Sequence, residues 1–286
     1  MGRTRTTLAV LTVSLGASAT AAVMVEVLRR QAALARHRIG KALGEVAPDA
    51  DRVWRKKYGG QPLELLVVGD SIAAGLGAER RKDTLGARIA RRVGTALQRP
   101  VRLRCAAVVG SESSALGAQL DGLEDGYRPE VAVVVVGGND VTHRVPTSVS
   151  VRHLVDAIER LQARGSAVVV GTCPDLGALR AVPQPLRTLG SRASRQLAAA
   201  QSVAARRAGA YTVSLATVVG PFFVSSPDEA FSLDRFHPSA VGYRRTAKEL
   251  TPSVLVALGE REELPPGHRP PDPLAGTPRR PWRRSA

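Results

Sequence analysis

The sequence has few cysteines, few aromatic residues and few lysines. Its 286 residues include two cysteines, Cys105 and Cys173, which are too few for a disulfide framework or a cysteine-based zinc site. Aromatic residues make up 3% of the chain, so the stacking platforms of single-strand nucleic-acid binders are lacking, and no recognition-helix or zinc-finger signature is present. Packing must therefore stabilise the fold, and 44% hydrophobic residues are sufficient for a core.

The scarcity of lysine changes how the positive charge is interpreted. The chain carries 41 basic and 25 acidic residues, a formal charge of +16, yet only five of the basic residues are lysine. An arginine excess beside so much alanine, glycine and valine is typical of a GC-rich genome. More than half of the excess charge lies outside residues 60–258. Codon composition and membrane-flanking residues therefore explain the charge better than a nucleic-acid partner does.

The N-terminal segment contains an uncharged run, residues 6–25, with arginines on both sides. A helix of this length spans a hydrocarbon layer of about 30 Å. The length favours an uncleaved membrane anchor, while small residues at positions 17–21 keep a cleaved signal peptide open. We predict an anchor or signal segment in residues 1–28 and a basic stalk in residues 29–59. The protein is then membrane-anchored or, after cleavage, secreted. Because positive charges flank both ends of the run, the sequence does not decide on which side of the membrane the folded domain lies.

The C-terminal residues 259–286 contain seven prolines and almost no apolar periodicity. Such a segment cannot bury enough apolar surface to offset the entropy of ordering it. We therefore predict a disordered tail rich in proline and arginine, which leaves residues 60–258 as the folded domain.

The middle of the chain alternates short apolar runs with helical patterns. Apolar, β-branched runs predict five buried strands at residues 63–68, 101–108, 131–136, 167–171 and 210–215. Stretches between and after them predict helices at residues 84–98, 114–123, 148–163, 189–208 and 239–258. The alternation predicts an α/β fold, a three-layer α/β/α sandwich with a five-stranded parallel sheet. Ligands of such sheets bind outside the carboxyl ends of the strands, so residues directly after each strand are the candidates for a site.

Glycine-containing segments follow the first and second predicted strands. Gly69-Asp70-Ser71 places a serine at a strand-to-helix turn, where its hydroxyl points out of the sheet edge and helix N–H groups favour an anion. A nucleophile needs this position, although an ordinary N-cap serine fits the same three residues. Gly110 ends the second strand, and its backbone N–H has no side chain to keep a substrate oxygen away.

Polar segments follow the third and fifth strands. After the third strand, two glycines precede Asn139 and Asp140, so the asparagine amide is placed to donate to a developing oxyanion. The same residues also form a good turn sequence. Asp234 and His237 are three residues apart before the last helix, a spacing at which a carboxylate fixes the tautomer of an imidazole and stabilises its cation. A helix cap beside a surface histidine gives the same pattern.

The four segments occur in order at the carboxyl ends of predicted parallel strands, and together they resemble the SGNH, or GDSL, family of serine esterases and lipases. The resemblance covers about residues 63–250 and is greatest to a membrane-associated actinobacterial branch. It implies a flavodoxin-like SGNH hydrolase fold, with Ser71 as nucleophile, His237 as general base and Asp234 orienting the base. The oxyanion hole implied by the family consists of the backbone N–H groups of Ser71 and Gly110 and the side chain of Asn139.

The activity implied by this resemblance is hydrolysis of a carboxylic ester, of a lipid or an acylated envelope glycan, through an acyl-enzyme intermediate. The family chemistry uses no metal and no cofactor. An alcohol is able to intercept an acyl-enzyme, so an acyltransferase of the same fold remains an alternative. A catalytically silent module that binds lipid or glycan is another. We expect no specific nucleic-acid partner and favour a monomer.

The remaining reactive residues have simpler interpretations. His143 is expected in a loop, with its ring hydrogen-bonded to the backbone. Cys173 follows the fourth strand without a second histidine to activate it, and Cys105 lies inside an apolar strand. Both cysteines are therefore expected to be small buried residues rather than nucleophiles.

Overall fold

The computed structural model describes residues 22–40 and 42–273 of the chain. Besides four 3₁₀ helices of three residues each, eleven α-helices and seven strands occur in this part. In chain order they are α1 (residues 22–39), β1 (Arg52–Trp54), β2 (Leu63–Gly69), α2 (Ser71–Ala74), α3 (Leu85–Ala96), β3 (Val101–Cys105), α4 (Leu116–Asp121), β4 (Val131–Val135), α5 (Gly138–Thr142), α6 (Thr147–Ala163), β5 (Ala167–Gly171), α7 (Leu186–Arg207), β6 (Tyr211–Val213), α8 (Leu215–Val218), α9 (Gly220–Ser225), α10 (Pro227–Ala230), α11 (Ala240–Ala257) and β7 (His268–Arg269).

The strands form one sheet in the order β1-β3-β2-β4-β5-β6-β7. The five inner strands are parallel and correspond to the five predicted ones, which confirms the α/β prediction. The predicted number of strands is wrong, because β1 pairs antiparallel with β3 and β7 pairs antiparallel with β6. These edge strands have three and two residues, too few to produce an apolar period in the sequence.

The two edge strands extend the sheet past the predicted borders of the folded domain. β1 lies in residues 29–59, the predicted stalk, and β7 lies in residues 259–286, the predicted tail. His268 of β7 is buried, and its ring nitrogen Nδ1 lies 2.7 Å from the Ser253 hydroxyl on α11. The sheet therefore begins before residue 60 and ends after residue 258.

Each inner strand contributes side chains to both faces of the sheet. Leu65 and Val67 of β2 pack with α3 and α11, whereas Leu66 and Val68 pack with α4 and α6. Successive side chains of a strand point to opposite faces, so a continuous apolar run is what a strand covered on both sides requires. The result is two apolar layers, one on each side of the sheet, as in the predicted sandwich.

The order of the five parallel strands fixes where a site is able to form. From β2 the chain crosses to β3 on one side, and it then returns to β4 on the other side of β2. In a doubly wound sheet, the point at which the strand order reverses opens a crevice at the carboxyl ends of the neighbouring strands. Here that crevice lies between the ends of β2 and β4, beside Ser71 and Asn139.

Helix α1 is attached to the domain near the start of α7. The side-chain oxygen of Gln31 accepts the backbone N–H of Leu186 at 3.0 Å, and Ala35 is buried. Within residues 22–40 and 42–273, no helix has the length and apolar character needed to cross a bilayer. The predicted apolar run at residues 6–25 lies outside the described residues except for its last four.

Candidate active site

The turn after β2 brings Ser71 to the crevice. Gly69 has a φ of +137°, and a Cβ atom built on it would lie 1.9 Å from the carbonyl oxygen of Val135, so the close approach of β2 and β4 requires glycine. Asp70 caps the short helix α2 by accepting the N–H of Ile72 at 2.9 Å. Ser71 is therefore the first residue of a helix and lies at the carboxyl end of a buried strand.

Ser71, His237 and Asp234 form a hydrogen-bonded chain. The Ser71 Oγ lies 2.9 Å from His237 Nε2, and His237 Nδ1 lies 2.6 Å from the Oδ2 oxygen of Asp234. An ionised carboxylate only accepts, so Nδ1 carries the proton and Nε2 is left to accept from the serine hydroxyl. The other Asp234 oxygen, Oδ1, accepts the backbone N–H groups of Phe236 and His237, each at 3.0 Å.

The surroundings of Asp234 keep it ionised. Burial alone would raise the pKa of this carboxyl, but hydrogen bonds from the His237 ring and from the two backbone N–H groups lower it below its ordinary value. The side chain is 4% exposed, so its charge is little screened by water. A negative charge held at this place stabilises the imidazolium that forms when His237 takes up a proton.

Asn139, the only asparagine of the chain, follows β4 on α5. Its Nδ2 atom donates to the backbone carbonyl of Ser111 at 2.9 Å. An amide nitrogen carries two hydrogens, so one N–H is used to hold the side chain and the other is free to meet a ligand. Asn139 and Ser71 line the same cavity.

Gly110 lies in the loop after β3, next to the residue that Asn139 contacts. Its φ is +82°, and a Cβ atom built on it would have no other atom within 4 Å. The residue is exposed, and it does not belong to the described residues that line the cavity at Ser71. The structure thus brings Ser71, His237, Asp234 and Asn139 together, whereas Gly110 lies exposed in the adjacent loop.

An apolar cavity of about 70 Å³ adjoins Ser71. Its walls come largely from α8 and α9 and from the loops after β5 and α10. The apolar wall residues include Ile72, Leu179, Leu215, Phe223, Phe231 and Phe236. The rings of Phe223 and Phe231 meet edge to face with their centres 5.0 Å apart, which fixes one wall. The cavity offers an apolar environment for a ligand group beside Ser71.

Two buried glutamines hold the strand ends in place, and the sequence reasoning missed both. Gln119 of α4 accepts the N–H of Gly69 at 2.9 Å and donates to its carbonyl at 2.8 Å. Gln201 of α7 accepts the N–H of Cys173 at 2.7 Å and donates to the carbonyl of Val136 at 2.9 Å. Gln119 could have been found from the sequence, because it lies on the same helix face as the buried Leu116 and Leu120, where an apolar residue is expected.

Asp70 is the buried carboxyl closest in sequence to Ser71. Burial raises its pKa to about 6, although the hydrogen bond from Ile72 and the nearby His237 act in the opposite direction. The side chain is 2% exposed and lines the cavity. An acidic group that titrates near neutral pH therefore lies directly beside the serine.

Cys173 is buried as predicted, whereas Cys105 is only half-buried and His143 has a different partner from the predicted one. Cys173 is fully buried and burial raises the pKa of its thiol, while the half-buried Cys105 packs against the core. His143 Nδ1 lies 2.7 Å from the Glu112 carboxylate, so its ring partner is a side chain and not the backbone. Glu112 comes from the loop after β3, which the sequence does not place beside α5.

In the described part of the chain, no group of three His, Cys, Asp or Glu residues is arranged to hold a metal ion.

A family model for the GDSL-like lipase/acylhydrolase family matches residues 67–245. The chain belongs to this family. It is 36% identical over 259 residues to a GDSL-like esterase of Mycobacterium tuberculosis, a match that covers 86% of this chain and 82% of the relative. The family resemblance read from the sequence is thereby confirmed, and the protein is an ester-hydrolysing enzyme.

Solved structures show the same fold at lower identity. TesA superposes with a TM-score of 0.53 at 22% identity, covering 68% of this chain and 97% of that one. A mutant acetyl-xylooligosaccharide esterase from Geobacillus gives 0.53 at 19% identity, with 71% and 96% covered. The psychrotrophic esterase EstA from Pseudoalteromonas gives 0.51 at 16% identity, with 69% and 97% covered. These neighbours match the SGNH hydrolase fold of this chain.

Proposed function

We propose that the protein is a serine esterase in which Ser71 attacks the carbonyl carbon of a carboxylic ester. The observation that carries this proposal is the chain of two hydrogen bonds from Ser71 Oγ through the His237 ring to Asp234. A serine hydroxyl is a weak nucleophile until a base removes its proton. The serine, base and orienting carboxylate are all present here at hydrogen-bond distance.

The proposed reaction has two stages. In the first, His237 Nε2 takes the proton of Ser71, the serine oxygen bonds to the ester carbonyl carbon, and the protonated ring then gives its proton to the leaving alcohol. In the second, the same ring activates a water molecule, which adds to the acyl-enzyme and releases the acid. Asp234 stays ionised throughout and stabilises the positive ring in both stages.

The oxyanion that forms in each stage needs donors in place beforehand. We assign this role to the backbone N–H groups of Ser71 and Gly110 and to the free N–H of Asn139. The bond from Asn139 to the Ser111 carbonyl supports the assignment, since it fixes the amide before substrate arrives. The assignment of the Gly110 N–H rests on the family pattern and on the position of this residue in the adjacent loop.

The apolar cavity is the proposed site of the acyl group. With about 70 Å³ it is far smaller than the roughly 300 Å³ at which pockets for drug-sized ligands begin. We therefore propose a short acyl chain on a lipid or on an acylated envelope glycan. In this proposal residues 60–258 carry the chemistry, and the uncharged N-terminal run attaches the enzyme to a membrane or directs its secretion.

The test is hydrolysis of p-nitrophenyl acetate and butyrate by the full-length chain, with Ser71→Ala as the matched variant. We expect the variant to lose at least 1,000-fold in kcat while keeping its thermal unfolding midpoint. Equal rates for the two proteins would show that the measured hydrolysis does not use Ser71. A wild type that neither hydrolyses these esters nor reacts with a fluorophosphonate would favour the silent binding module. Transfer of the acyl group to an added alcohol faster than to water would favour the acyltransferase.

A further inference from the structure

A second depression lies beside the apolar cavity and is lined by arginines. The two hollows share Asp175 and Ala178, so the short segment after β5 forms the wall between them. On the far side of this wall lie Arg180, Arg187, Arg192 and Arg195, together with polar residues of the loop before α7 and of α7 itself. We call the depression lined by these four arginines the arginine groove.

One of the four charges is already neutralised. Arg195 forms an ion pair with the Oδ2 oxygen of Asp175 at 2.7 Å. The Oδ1 oxygen of Asp175 accepts the Ser191 hydroxyl at 2.7 Å and the Gly177 N–H at 2.8 Å. Burial opposes the charge of Asp175, but these hydrogen bonds and Arg195 lower its pKa below the ordinary value. Asp175 is thus a fixed anion whose acceptors are occupied by its own neighbours.

The other three charges have no carboxylate to balance them. Within residues 22–40 and 42–273, no Asp or Glu oxygen forms an ion pair with Arg180, Arg187 or Arg192. Outside these ranges the sequence contains no Asp or Glu. Arg180 donates to the carbonyl of Val224 at 2.9 Å, a contact that orients the guanidinium and leaves its charge unpaired.

The positive charge continues around the same side of the molecule. Arg180 also lines a neighbouring depression with Arg38 of α1 and Arg235, where Asp228 is the acidic residue. Arg187 is half-buried, so its charge is less screened than that of a free surface arginine. Planar guanidinium groups recognise phosphate and carboxylate through paired N–H donors, and they bind these anions more strongly than neutral acceptors.

We propose that the arginine groove binds an anionic group, a phosphate or a carboxylate, on the part of the ester that lies outside the apolar cavity. This inference rests on the proposed function, because it assumes that the acyl group reaches Ser71 through that cavity. The preferred substrate is then a short-chain ester whose part outside the apolar cavity carries a negative charge. Phosphate would come from a lipid head group and carboxylate from an acidic sugar.

The test compares paired esters with the full-length chain. The lipid pair is dihexanoyl phosphatidylglycerol and dihexanoylglycerol, which lacks the phosphate, both at concentrations at which they stay monomeric, and the sugar pair is acetylated glucuronic acid and acetylated glucose. We expect kcat/KM to be at least about tenfold higher for the anionic member of one pair, chiefly through KM, and to lose this preference as sodium chloride is added. A preference in the lipid pair identifies a head group as the anion, and one in the sugar pair identifies an acidic glycan. A ratio near one in both pairs overturns the proposal.

Variants separate the groove from general charge effects. The double variant Arg187→Gln with Arg192→Gln is expected to bring the ratio of anionic to neutral kcat/KM close to one. Replacing Arg187→Gln by Arg187→Lys in this double variant is expected to restore part of the ratio, because lysine keeps the charge. The matched control is Arg91→Gln with Arg92→Gln, which removes the same charge from α3 in a separate hollow between α3 and α11. We expect this control to keep the wild-type ratio. Equal losses on both members of a pair, or the same effect in the control, would overturn the proposal.

The experiment also separates failure of this inference from failure of the proposed function. If wild type hydrolyses p-nitrophenyl acetate in a Ser71-dependent manner and shows no preference for anionic esters, the serine esterase stands and the groove proposal falls. If wild type hydrolyses none of the esters, the proposed function falls, and the groove proposal falls with it.

Discussion

The Nδ1 atom of His237 lies 2.6 Å from the Oδ2 oxygen of Asp234, and the two residues are three positions apart in one turn. The same turn supplies two backbone N–H groups to the other oxygen of the carboxylate. The local chain therefore builds the acid and base as one unit. Ser71 comes from a segment more than 160 residues earlier and is placed by the sheet.

Replacing Asp234 with Asn should change the protonation of His237 without removing hydrogen-bonding capacity. The amide would offer an N–H toward Nδ1, which favours the tautomer with its proton on Nε2, so the ring would no longer accept from Ser71. By analogy with other Ser-His-Asp enzymes, we expect kcat for p-nitrophenyl acetate to fall about 10⁴-fold. The exposed Asp125→Asn is the matched control and should keep wild-type kcat. A fall of less than tenfold in Asp234→Asn would show that this carboxylate does not set the tautomer.

Removing the Asn139 amide should slow turnover more than it weakens binding. We expect Asn139→Ala to lower kcat by about 100- to 1,000-fold, or about 3 to 4 kcal/mol, with a small change in KM. The lost hydrogen bond to Ser111 should cost about 1 kcal/mol of the free energy of unfolding. Steady-state kinetics and urea unfolding measure the two effects separately. A rise in KM at unchanged kcat would mean that Asn139 binds the ground state and does not stabilise the oxyanion.

Shortening Phe231 should enlarge the apolar cavity beside Ser71, because this ring separates it from the neighbouring depression. We expect Phe231→Ala to raise the octanoate-to-acetate ratio of kcat/KM for p-nitrophenyl esters by about tenfold or more. Phe222→Ala is the matched control, since Phe222 packs against Phe223 but does not line the cavity. If both variants keep the wild-type ratio, the acyl chain does not occupy this cavity.

The pKa of Asp70 gives a stability prediction whose sign is fixed. With a pKa of about 6 in the folded state and about 3.8 in the unfolded chain, the folded protein holds a proton between these pH values that the unfolded chain has lost. Asp70 therefore lowers the free energy of unfolding as pH rises from about 4 to 6, with no further change above. Asp70→Asn retains an acceptor for the Ile72 N–H and lacks this titration. Between about pH 4 and pH 6 we expect the free energy of unfolding of Asp70→Asn, relative to that of wild type, to rise by up to about 3 kcal/mol.

Urea unfolding of wild type and Asp70→Asn at several pH values from 4 to 8 checks this prediction. The comparison between the two proteins cancels the contributions of other carboxylates, including Asp175 and Asp234, which act in the opposite direction as pH changes. A difference in the free energy of unfolding that is the same at all pH values would contradict a raised Asp70 pKa.

The parts of the fold that the sequence predicts well are those with continuous burial. β4, β5 and β2 from Leu65 onward are covered on both faces, so their apolar runs are unbroken and their positions follow from the sequence. The loop between β6 and α11 contains α8, α9 and α10, of four to six residues each, which are too short for a periodic pattern. Their conformation depends on packing around the cavity, and so the lining of the cavity could not be derived.

The site also has a part that the sequence predicts and a part that it does not. The turn residues Ser71, Asn139, Asp234 and His237 could be singled out because each follows a strand or precedes a helix, and the structure brings them to one crevice. Their catalytic roles remain predictions. Contacts that cross between distant segments carry no local signal, which is why the bridge from Glu112 to His143 and the arginine groove emerged only from the structure.

The two antiparallel strands at the edges of the sheet have a consequence for work on shorter versions of this chain. A fragment limited to residues 60–258 would lack β1 and β7 and would leave the outer N–H and C=O groups of β3 and β6 without partners. Unprotected edges of this kind invite pairing between molecules and aggregation. A fragment that starts before Ala50 and continues to Pro273 would keep both edges covered, and it is the version to express when the termini are removed.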